Sequence, residues 1–357
     1  MKKMNLSGAI CLMVAAMMLG GCSSGTAQQP TTQAVKEETT KAEETTKAEE
    51  TVKAEESSSE AESSQEKNAD SGKHYVIGVS QPTMTHPIRK AGNEIIDAWK
   101  EKHPNVEVIV SDGQLKADKQ IADIEDMIAK KVDAILVAAH QSPTLVPVLQ
   151  QAKDAGIPIV AFDRELTDKS VEVCEVINDD ITAGKTGVEL LVEGMGEEGE
   201  IAILEGVSGS AVTVNRQKGF MEEIEKYPNI KIVADQNANF QRVQAVDLFE
   251  NVLQANPNIK GVFCHNDEMA LGVVKVLKDA GIEGVTVVGI DGQKDALEAI
   301  LAGDMHGTVR KIVELEYALD EALSYLDTGS CKESIMLESM KIDSTNVEEV
   351  YDPDAVF

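Results

Sequence analysis

Short apolar runs alternate with longer amphipathic stretches along the chain from Tyr75 onward. Runs such as A-I-L-V-A-A (134–139) and V-T-V-V-G-I (285–290) are continuously apolar, which is typical of strands that helices cover on both faces. The predicted strands are 75–80, 106–111, 133–139, 157–162, 200–204, 230–234, 259–264, 284–290 and 306–310. The predicted helices are 88–102, 117–130, 144–154, 180–194, 213–227, 240–255, 267–280 and 293–302. This alternation predicts parallel sheets with right-handed crossovers.

Two of the predicted helices end in nearly the same words, A-K-D-A-G-I at Gly156 and L-K-D-A-G-I at Gly281. Glycine just after the last turn adopts the left-handed conformation that ends a helix, and a lysine in that turn interacts favourably with the helix dipole. One such ending lies in each half of the chain. The sequence therefore predicts two similar α/β lobes.

The first 22 residues have the layout of an export signal: two lysines near the start, an apolar run from Ala9 to Leu19, then small residues before Cys22. The run is shorter than the roughly 20 residues that a membrane span needs. The word L-G-G-C at 19–22 resembles the bacterial lipobox, which implies cleavage before Cys22 and its lipidation. We expect residues 1–22 to be a lipoprotein signal peptide.

Residues 23–72 contain no aromatic residue and repeat the hexamer T-T-K-A-E-E at 39–44 and 45–50, followed by T-V-K-A-E-E at 51–56. So little apolar surface cannot offset the entropy lost on ordering. This composition predicts a disordered, acidic Thr/Lys/Glu-rich tether.

Charge and cysteine content narrow the classes of partner and cofactor. The net charge of −29 would repel phosphate backbones and anionic lipid heads, so we expect no nucleic acid partner and membrane attachment only through the lipid. Beyond the tether, Cys174, Cys264 and Cys331 are odd in number, far apart and without C-x-x-C spacing, so no disulfide framework or cysteine-rich zinc site is expected. The histidines lack metal-ligand spacing. We expect no metal and no cofactor.

Polar residues follow nearly every predicted strand. Ligands bind outside the carboxyl ends of parallel strands, where loops and helix N-termini converge on one crevice. The segments at these ends are Gln81–Arg89, 140–141, 163–164, 178–180, Gly206–Arg216, 266–267, Asp291 and 310–311. The sequence therefore predicts a crevice for a polar ligand.

Five sequence motifs at these strand ends resemble those of the ribose-type branch of the periplasmic sugar-binding proteins. The resemblance covers about residues 74–345. The motifs are IPIVAFDRE (157–165), NRQKGF (215–220), FCHNDEMALG (263–272), VVGIDG (287–292) and GTVRK (307–311). The resemblance implies the type I periplasmic binding protein fold, with two Rossmann-like lobes and a three-crossing hinge near 178–180, 310–311 and 338–343. The expected lobes are 73–178 with 311–338, and 179–310 with 339–357.

The resemblance also implies particular ligand contacts. It places the acceptors of ligand hydroxyl protons at Asp163 and Asp291, and the bidentate donors at Arg164 and Arg216. It places an amide–carboxylate pair at Asn266 and Asp267, and an aromatic ring at Phe240. Sugar hydroxyls both donate and accept, so ionised carboxylates take their protons while guanidinium forks donate to neighbouring oxygens. These residue types therefore suit a sugar.

The first loop and the crossing at 310–311 depart from the family pattern. The first loop reads His86-Pro87-Ile88-Arg89 where the family usually has Asn-Pro and two aromatics, and Lys311 replaces a glutamine. His86, Ile88, Arg89 and Lys311 are therefore also expected at the ligand. If Arg89 and Lys311 point inward, the cleft is more cationic than a neutral-sugar site, which favours an anionic, amino or otherwise atypical sugar or polyol.

Structural explanations remain open for several of these residues. Asp163 and Arg164 would also suit a structural ion pair, Arg216 a solvated helix face, Asn266 and Asp267 a helix cap, and Asp291 a turn. Trp99 is expected in the core. The string G-K-T at 184–186 lacks the glycine five residues earlier that a nucleotide-binding loop needs, and no G-x-G-x-x-G follows the first strand.

We interpret the chain as the extracytoplasmic, lipid-anchored, monomeric solute-binding protein of an ABC importer. It would capture a monosaccharide or related polyol, deliver it to the permease and catalyse no reaction. A sensory protein that presents its ligand to a chemoreceptor or histidine kinase is the alternative. A repressor with this core would carry a helix-turn-helix where this chain has a signal and tether, and an enzyme on this fold is the least favoured.

Overall fold

The computed structural model describes residues 73–355 and 357. The predicted signal peptide, its Cys22 and the predicted tether at 23–72 lie outside the described residues. In the described part of the chain, no helix combines the length and apolarity that crossing a membrane requires.

Twelve strands and ten α-helices are present among the described residues, in the order β1, α1, β2, α2, β3, α3, β4, β5, α4, β6, α5, β7, α6, β8, α7, β9, α8, β10, α9, β11, β12, α10. The strands are β1 Tyr75–Gln81, β2 Val106–Asp112, β3 Ala134–Val137, β4 Ile159–Phe162, β5 Cys174–Asn178, β6 Glu198–Glu205, β7 Asn229–Asn237, β8 Ile259–Cys264, β9 Thr286–Asp291, β10 Gly307–Arg310, β11 Ser334–Leu337 and β12 Met340–Asp343. The helices are α1 Pro87–Lys102, α2 Ala117–Lys130, α3 Ser142–Asp154, α4 Asp180–Met195, α5 Ala211–Ile224, α6 Arg242–Ala255, α7 Asp267–Ala280, α8 Lys294–Leu301, α9 Leu315–Thr328 and α10 Val347–Val350.

The strands form two six-stranded sheets, one in each lobe. The first has the order β11-β5-β4-β3-β1-β2 and is parallel throughout. The second has the order β12-β10-β9-β8-β6-β7, and only β12 runs antiparallel to its neighbour. Apolar clusters cover both faces of each sheet, which explains the continuously apolar strands. The predicted two-lobed α/β fold is confirmed.

The chain passes between the two sheets three times. It leaves the first sheet after β5, returns after β10 and leaves again between β11 and β12. Asn178, the last residue of β5, joins the first two crossings, because its side chain accepts from the Ile312 amide and donates to the Ile312 carbonyl, both at 3.0 Å. Its amide also donates to the buried Glu314 carboxylate. The crossings are thus held together beside the site.

Several local predictions hold in the structure. Gly156 and Gly281 follow their helices with φ of 82° and 64°. The G-K-T string lies inside α4, as ordinary helix sequence. Trp99 is 1% exposed in the core of the first lobe, where its indole donates to Asp320 at 2.7 Å. The sequence pattern predicts no strand at β5, β11 or β12 and no helix at α9 or α10.

Candidate functional site

A small cavity lies between the lobes, at the carboxyl ends of the strands of both sheets. Its volume is about 30 Å³, which leaves room for only a few water molecules. The residues that line it are His86, Ile88, Arg89, Asp163, Arg164, Val212, Arg216, Phe240, Asn266, Asp291 and Lys311. Ten of the eleven residues expected at the ligand are therefore brought together. Asp267 is not among them, and Val212 was not expected.

A larger groove of about 690 Å³ lies along α1, α8, α9 and the C-terminal residues. Four of its charged side chains are exposed to solvent, those of Glu94, Arg310, Glu316 and Asp352. Lys294 is partly exposed, and the buried Lys311 also lines the smaller cavity, where it meets Asp163. A site that binds a small polar molecule needs converging, desolvated polar groups, so the smaller cavity is the candidate site.

Asp163 is the centre of the ion pairs in the first-lobe half of the cavity. It follows β4, and its carboxylate accepts from the Arg89 guanidinium, from Lys311 Nζ at 2.8 Å and from Arg164 Nε at 3.3 Å. Burial alone would raise the pKa of Asp163, but the three cations hold it well below its usual range. Arg164 also donates to the carbonyl oxygens of Ala139 and His140, at 3.1 and 3.4 Å. Asp163 is therefore ionised and fully engaged.

Arg216 organises the half of the cavity that the second lobe contributes. Its side chain is nearly inaccessible to solvent and donates from Nε to Asp180 at 2.8 Å and from Nη2 to Asp291 at 3.4 Å. Nη1 donates to the His265 carbonyl oxygen. Because its guanidinium is held on three sides by protein groups, Arg216 is not a solvated surface residue.

Each cation at the cavity is paired with at least one carboxyl group. The four cations Arg89, Arg164, Arg216 and Lys311 are paired with four carboxylates, on Asp163, Asp180, Asp291 and Glu314. Burial raises the pKa of Asp291 to about 6 and that of Glu314 to about 7, so these two carboxyls retain part of their protons near neutral pH. Arg89 and Lys311 do point inward, but each meets a carboxylate.

Asn266 and Asp267 have different positions although they are adjacent. Asn266 lines the cavity and caps α7, with its Oδ1 accepting from the Met269 amide at 3.1 Å. Asp267 lies behind the cavity wall, where its carboxylate accepts from the amides of Gly292 and Gln293 at 2.8 and 3.0 Å and from the Thr308 hydroxyl at 2.7 Å. Asp267 therefore positions the ends of β9 and β10.

The apolar part of the cavity wall comes from Phe240, Val212 and Ile88. The Phe240 ring lies against the backbone of Gly206, where an added Cβ would come within 1.9 Å of a ring carbon. An aromatic face beside charged groups is suited to packing against the C–H face of a sugar or polyol while the edges of the same molecule make hydrogen bonds.

Three lining residues have backbone conformations that L residues rarely adopt. The φ angles of Asp163, Phe240 and Asp291 are 62°, 60° and 134°. Such conformations cost on the order of 1–3 kcal/mol each and persist where the surrounding structure enforces them. Three of the seven non-glycine residues with positive φ in the described part of the chain therefore line the cavity.

Two glycines allow α4 and α5 to approach closely enough to place Arg216. A Cβ on Gly184 would lie 2.2 Å from the carbonyl oxygen of Arg216, and a Cβ on Gly219 would lie 2.0 Å from that of Ile181. No larger residue fits at either position without separating the helices. This packing brings the Arg216 guanidinium to Asp180, the first residue of α4.

Polar contacts join the two lobes at the mouth of the cavity. The Gln241 amide, from the second lobe, donates to Nε2 of His86 in the first loop. Burial and the neighbouring Arg89 lower the pKa of His86 to about 4, so its ring is a neutral acceptor at pH 7. Asn215 donates to Glu165 across the same gap at 2.8 Å. The lobes are closed over the cavity.

Comparison with known proteins identifies the family. A family model described as "Periplasmic binding protein domain" matches residues 77–319. The chain belongs to the periplasmic binding protein family. The ribose import binding protein of Bacillus subtilis (strain 168) is 33% identical over 248 residues, which are 70% of this chain and 80% of the relative.

Further similar proteins match more than three quarters of this periplasmic binding protein. The D-apiose import binding protein of Actinobacillus succinogenes is 34% identical over 293 residues, 79% of this chain and 91% of the relative. A crystal structure of an ABC transporter solute-binding protein from Bacillus halodurans C-125 with bound myo-inositol superposes with a TM-score of 0.74 at 29% identity, covering 78% of this chain and 97% of that one.

Sequence reasoning missed Val212 and the supporting residues Asp180, Glu314 and Gln241. Val212 and Asp180 lie in strand-end segments that the sequence does single out, so their segments were recognisable although their roles were not. Gln241 directly follows Phe240 in the sequence, and Glu314 lies three residues after Lys311. Nothing in the sequence indicates that their side chains turn toward the cavity.

Proposed function

We propose that this chain is the extracytoplasmic solute-binding protein of an ABC importer, with a neutral monosaccharide or polyol as its ligand. The supporting observation is the cavity itself, where carboxylates and guanidinium groups converge beside one aromatic ring between two closed lobes. Its relatives carry the names of ribose and D-apiose import binding proteins. The anchored location through Cys22, the permease partner, the monomeric state and the absence of catalysis belong to the same proposal.

The pairing of all four cations with carboxyl groups favours a neutral ligand over an anionic one. An anionic ligand would have to displace a carboxylate from its cation, whereas a polyol exchanges hydrogen bonds without changing the net charge. Its hydroxyls would donate to Asp163 and Asp291 and accept from Arg164 and Arg216. The excess of cations inferred from the sequence is therefore offset by Asp180 and Glu314.

The small volume of the cavity supports a mechanism in which binding and lobe closure are coupled. Ligand pockets usually have about 300–1,000 Å³, so the ligand must enter when the lobes are apart and then replace part of the ion pairing around Asp163. Closure over the ligand shifts the population of open and closed forms, and the closed form would be the one that the permease recognises. No bond of the ligand is changed.

Isothermal titration of the full chain tests the ligand class. The panel contains neutral pentoses, hexoses, xylitol and inositols, together with sugar acids, sugar phosphates and amino acids. We expect a neutral sugar or polyol to bind, and Asp291→Asn to weaken it about 10- to 100-fold, because a charged hydrogen bond is lost. The matched control Glu193→Gln neutralises an exposed carboxylate that pairs only with Lys341 among the described residues, so its affinity should be unchanged.

Each other outcome has a defined meaning. Binding of sugar acids alone would return the ligand to the anionic class, and silence across the whole panel would refute the sugar proposal. A deletion strain then separates importer from sensor: loss of uptake of the bound sugar supports the importer, whereas intact uptake with a lost transcriptional or chemotactic response supports the sensor.

A further inference from the structure

Two of the three described cysteines lie side by side at an edge of the first sheet. Cys174 is the first residue of β5, and Cys331 lies just before β11, the strand that pairs with β5. The two sulfur atoms and a carboxylate oxygen of Glu321 all lie within 4.8 Å of one another. The Cys331 sulfur also lies 3.3 Å from the carbonyl oxygen of Val173, 158 positions earlier in the sequence.

We propose that Cys174 and Cys331 form a disulfide bond in the exported protein. The proposal rests on the extracytoplasmic location given above, because disulfides persist in oxidising compartments. The oxidant is a small-molecule disulfide such as oxidised glutathione. The structure holds the two sulfur atoms within 4.8 Å of each other in a folded sheet, so the second sulfur is already beside the first when the first one reacts.

Solvent exposure determines which of the two thiols reacts first. Cys331 is partly exposed and Cys174 is fully buried. The Cys331 thiolate therefore attacks the small disulfide first, forms a mixed disulfide and releases one small thiolate. Cys174, as a thiolate, then attacks the Cys331 sulfur and releases the second. Two protein thiols are oxidised, one small disulfide is reduced, and the two protons end on the released small thiols.

Burial and the neighbouring carboxylates determine how fast the two thiols are oxidised. Burial raises the pKa of Cys174 to about 12, and burial with Glu321 raises that of Cys331. Glu172 and Glu333 add negative charge, and the only lysine paired with Glu321 in the described part of the chain is the exposed Lys332. Thiolates are therefore scarce at neutral pH, and oxidation should be slow there and faster at pH 8.5.

The bond would join parts of the first lobe that lie on either side of the excursion into the second lobe. β5 precedes the first crossing, whereas Cys331 follows the second. A disulfide that closes so long a loop removes more freedom from the unfolded chain than one that closes a short loop. The third cysteine, Cys264, is fully buried in the second lobe and burial raises its pKa well above the usual range, so it serves as the internal control.

The test is peptide mapping by mass spectrometry of the full exported chain, with free thiols alkylated, before and after oxidised glutathione at pH 8.5. We expect a linked pair of peptides containing Cys174 and Cys331, retained in Cys264→Ser and absent in Cys331→Ser. Reductant should lower the melting temperature of the wild type and Cys264→Ser by roughly 5–10 °C and leave Cys331→Ser unchanged.

Two outcomes would overturn the proposal. One is the absence of a linked peptide after oxidation, with both cysteines alkylated once the protein is unfolded. The other is protection of the reduced thiols by added Zn²⁺ without any linkage, which would make Cys174, Glu321 and Cys331 a metal site. Sugar titration of the same samples reports on the proposed function separately, because this cluster lies at the end of β5 opposite Asn178.

Discussion

Replacing Asp163 by Asn would remove one charge from the centre of the cavity with little change in shape. Asn is among the few residues that tolerate the φ of 62° at this position, so the backbone should stay in place. Three buried cations depend on this carboxylate. The variant therefore isolates the electrostatic contribution of Asp163 to the ligand-free protein.

The three cations would keep different partners after the carboxylate of Asp163 is removed. Lys311 keeps Glu314 at 3.5 Å, and Arg164 keeps two carbonyl oxygens. Arg89 keeps, in the part of the chain that the structure describes, only the Phe162 ring, 6.0 Å from its guanidinium carbon. Breaking a buried ion pair costs about 3–5 kcal/mol, and the Asn oxygen still accepts one hydrogen bond, so we expect about 2–4 kcal/mol of destabilisation.

Urea denaturation of the ligand-free chain at pH 7 measures this loss, with Glu193→Gln as the exposed control, expected within about 0.5 kcal/mol of wild type. Adding Arg89→Met should recover part of the loss, with a coupling energy of about 1–3 kcal/mol. Because the folded pKa of Asp163 is depressed, its contribution is present above its unfolded pKa and is lost as the pH falls through the folded value. The contribution of Asp163 itself is thus constant from pH 5 to 8, but the loss should be smaller at pH 8 than at pH 5, because the variant also lowers the raised pKa values of Asp291 and Glu314. Additive effects of the two substitutions would refute the reasoning.

Three other changes test the parts around this centre. Gly219→Ala should lower the free energy of unfolding by about 1–3 kcal/mol in urea, since its Cβ would meet the Ile181 carbonyl oxygen, whereas an unchanged value would mean that the helices can separate freely. Burial raises the folded pKa of Asp267 to about 7, so the wild type loses stability as the pH rises from about 4 to 8. Asp267→Asn lacks this ionisation, so its melting temperature minus that of the wild type should be larger at pH 8 than at pH 5.5. Melting temperatures that change in parallel with pH would contradict this. Gln241→Leu removes the contact to His86 between the closed lobes and should weaken sugar binding about tenfold by calorimetry with little change in melting temperature; unchanged affinity would show that this contact does not stabilise closure.

The sequence predicts the positions at strand ends well because the geometry of parallel sheets fixes them. Asp163, Asp291 and Lys311 all follow or end buried strands, so their convergence follows from the order of elements. Which carboxylate each cation meets could not be predicted, since it depends on side-chain reach across two lobes. Asp267 shows the same limit: one residue after the cap of α7, its side chain turns behind the wall instead of into the cavity.

The hydrophobic pattern also does not predict contacts between β5 and the segment that returns to the first sheet after the second lobe. β5 is short and contains Glu175, and β11 joins it only after the whole second lobe has intervened. Sequence spacing therefore separates Cys174 from Cys331, whereas the sheet places them together. Counting cysteines could establish only that no regular framework exists, not that two of them are neighbours.

The unusual backbone at three lining positions limits how the ligand preference of this protein could be redesigned. At Asp163, Phe240 and Asp291 the choice of residue is restricted by the chain itself, since few side chains tolerate those φ angles. Val212 and Arg89 instead stand on regular helix, where many side chains are accommodated. A library for a new sugar should therefore vary these helical positions and keep the three others fixed.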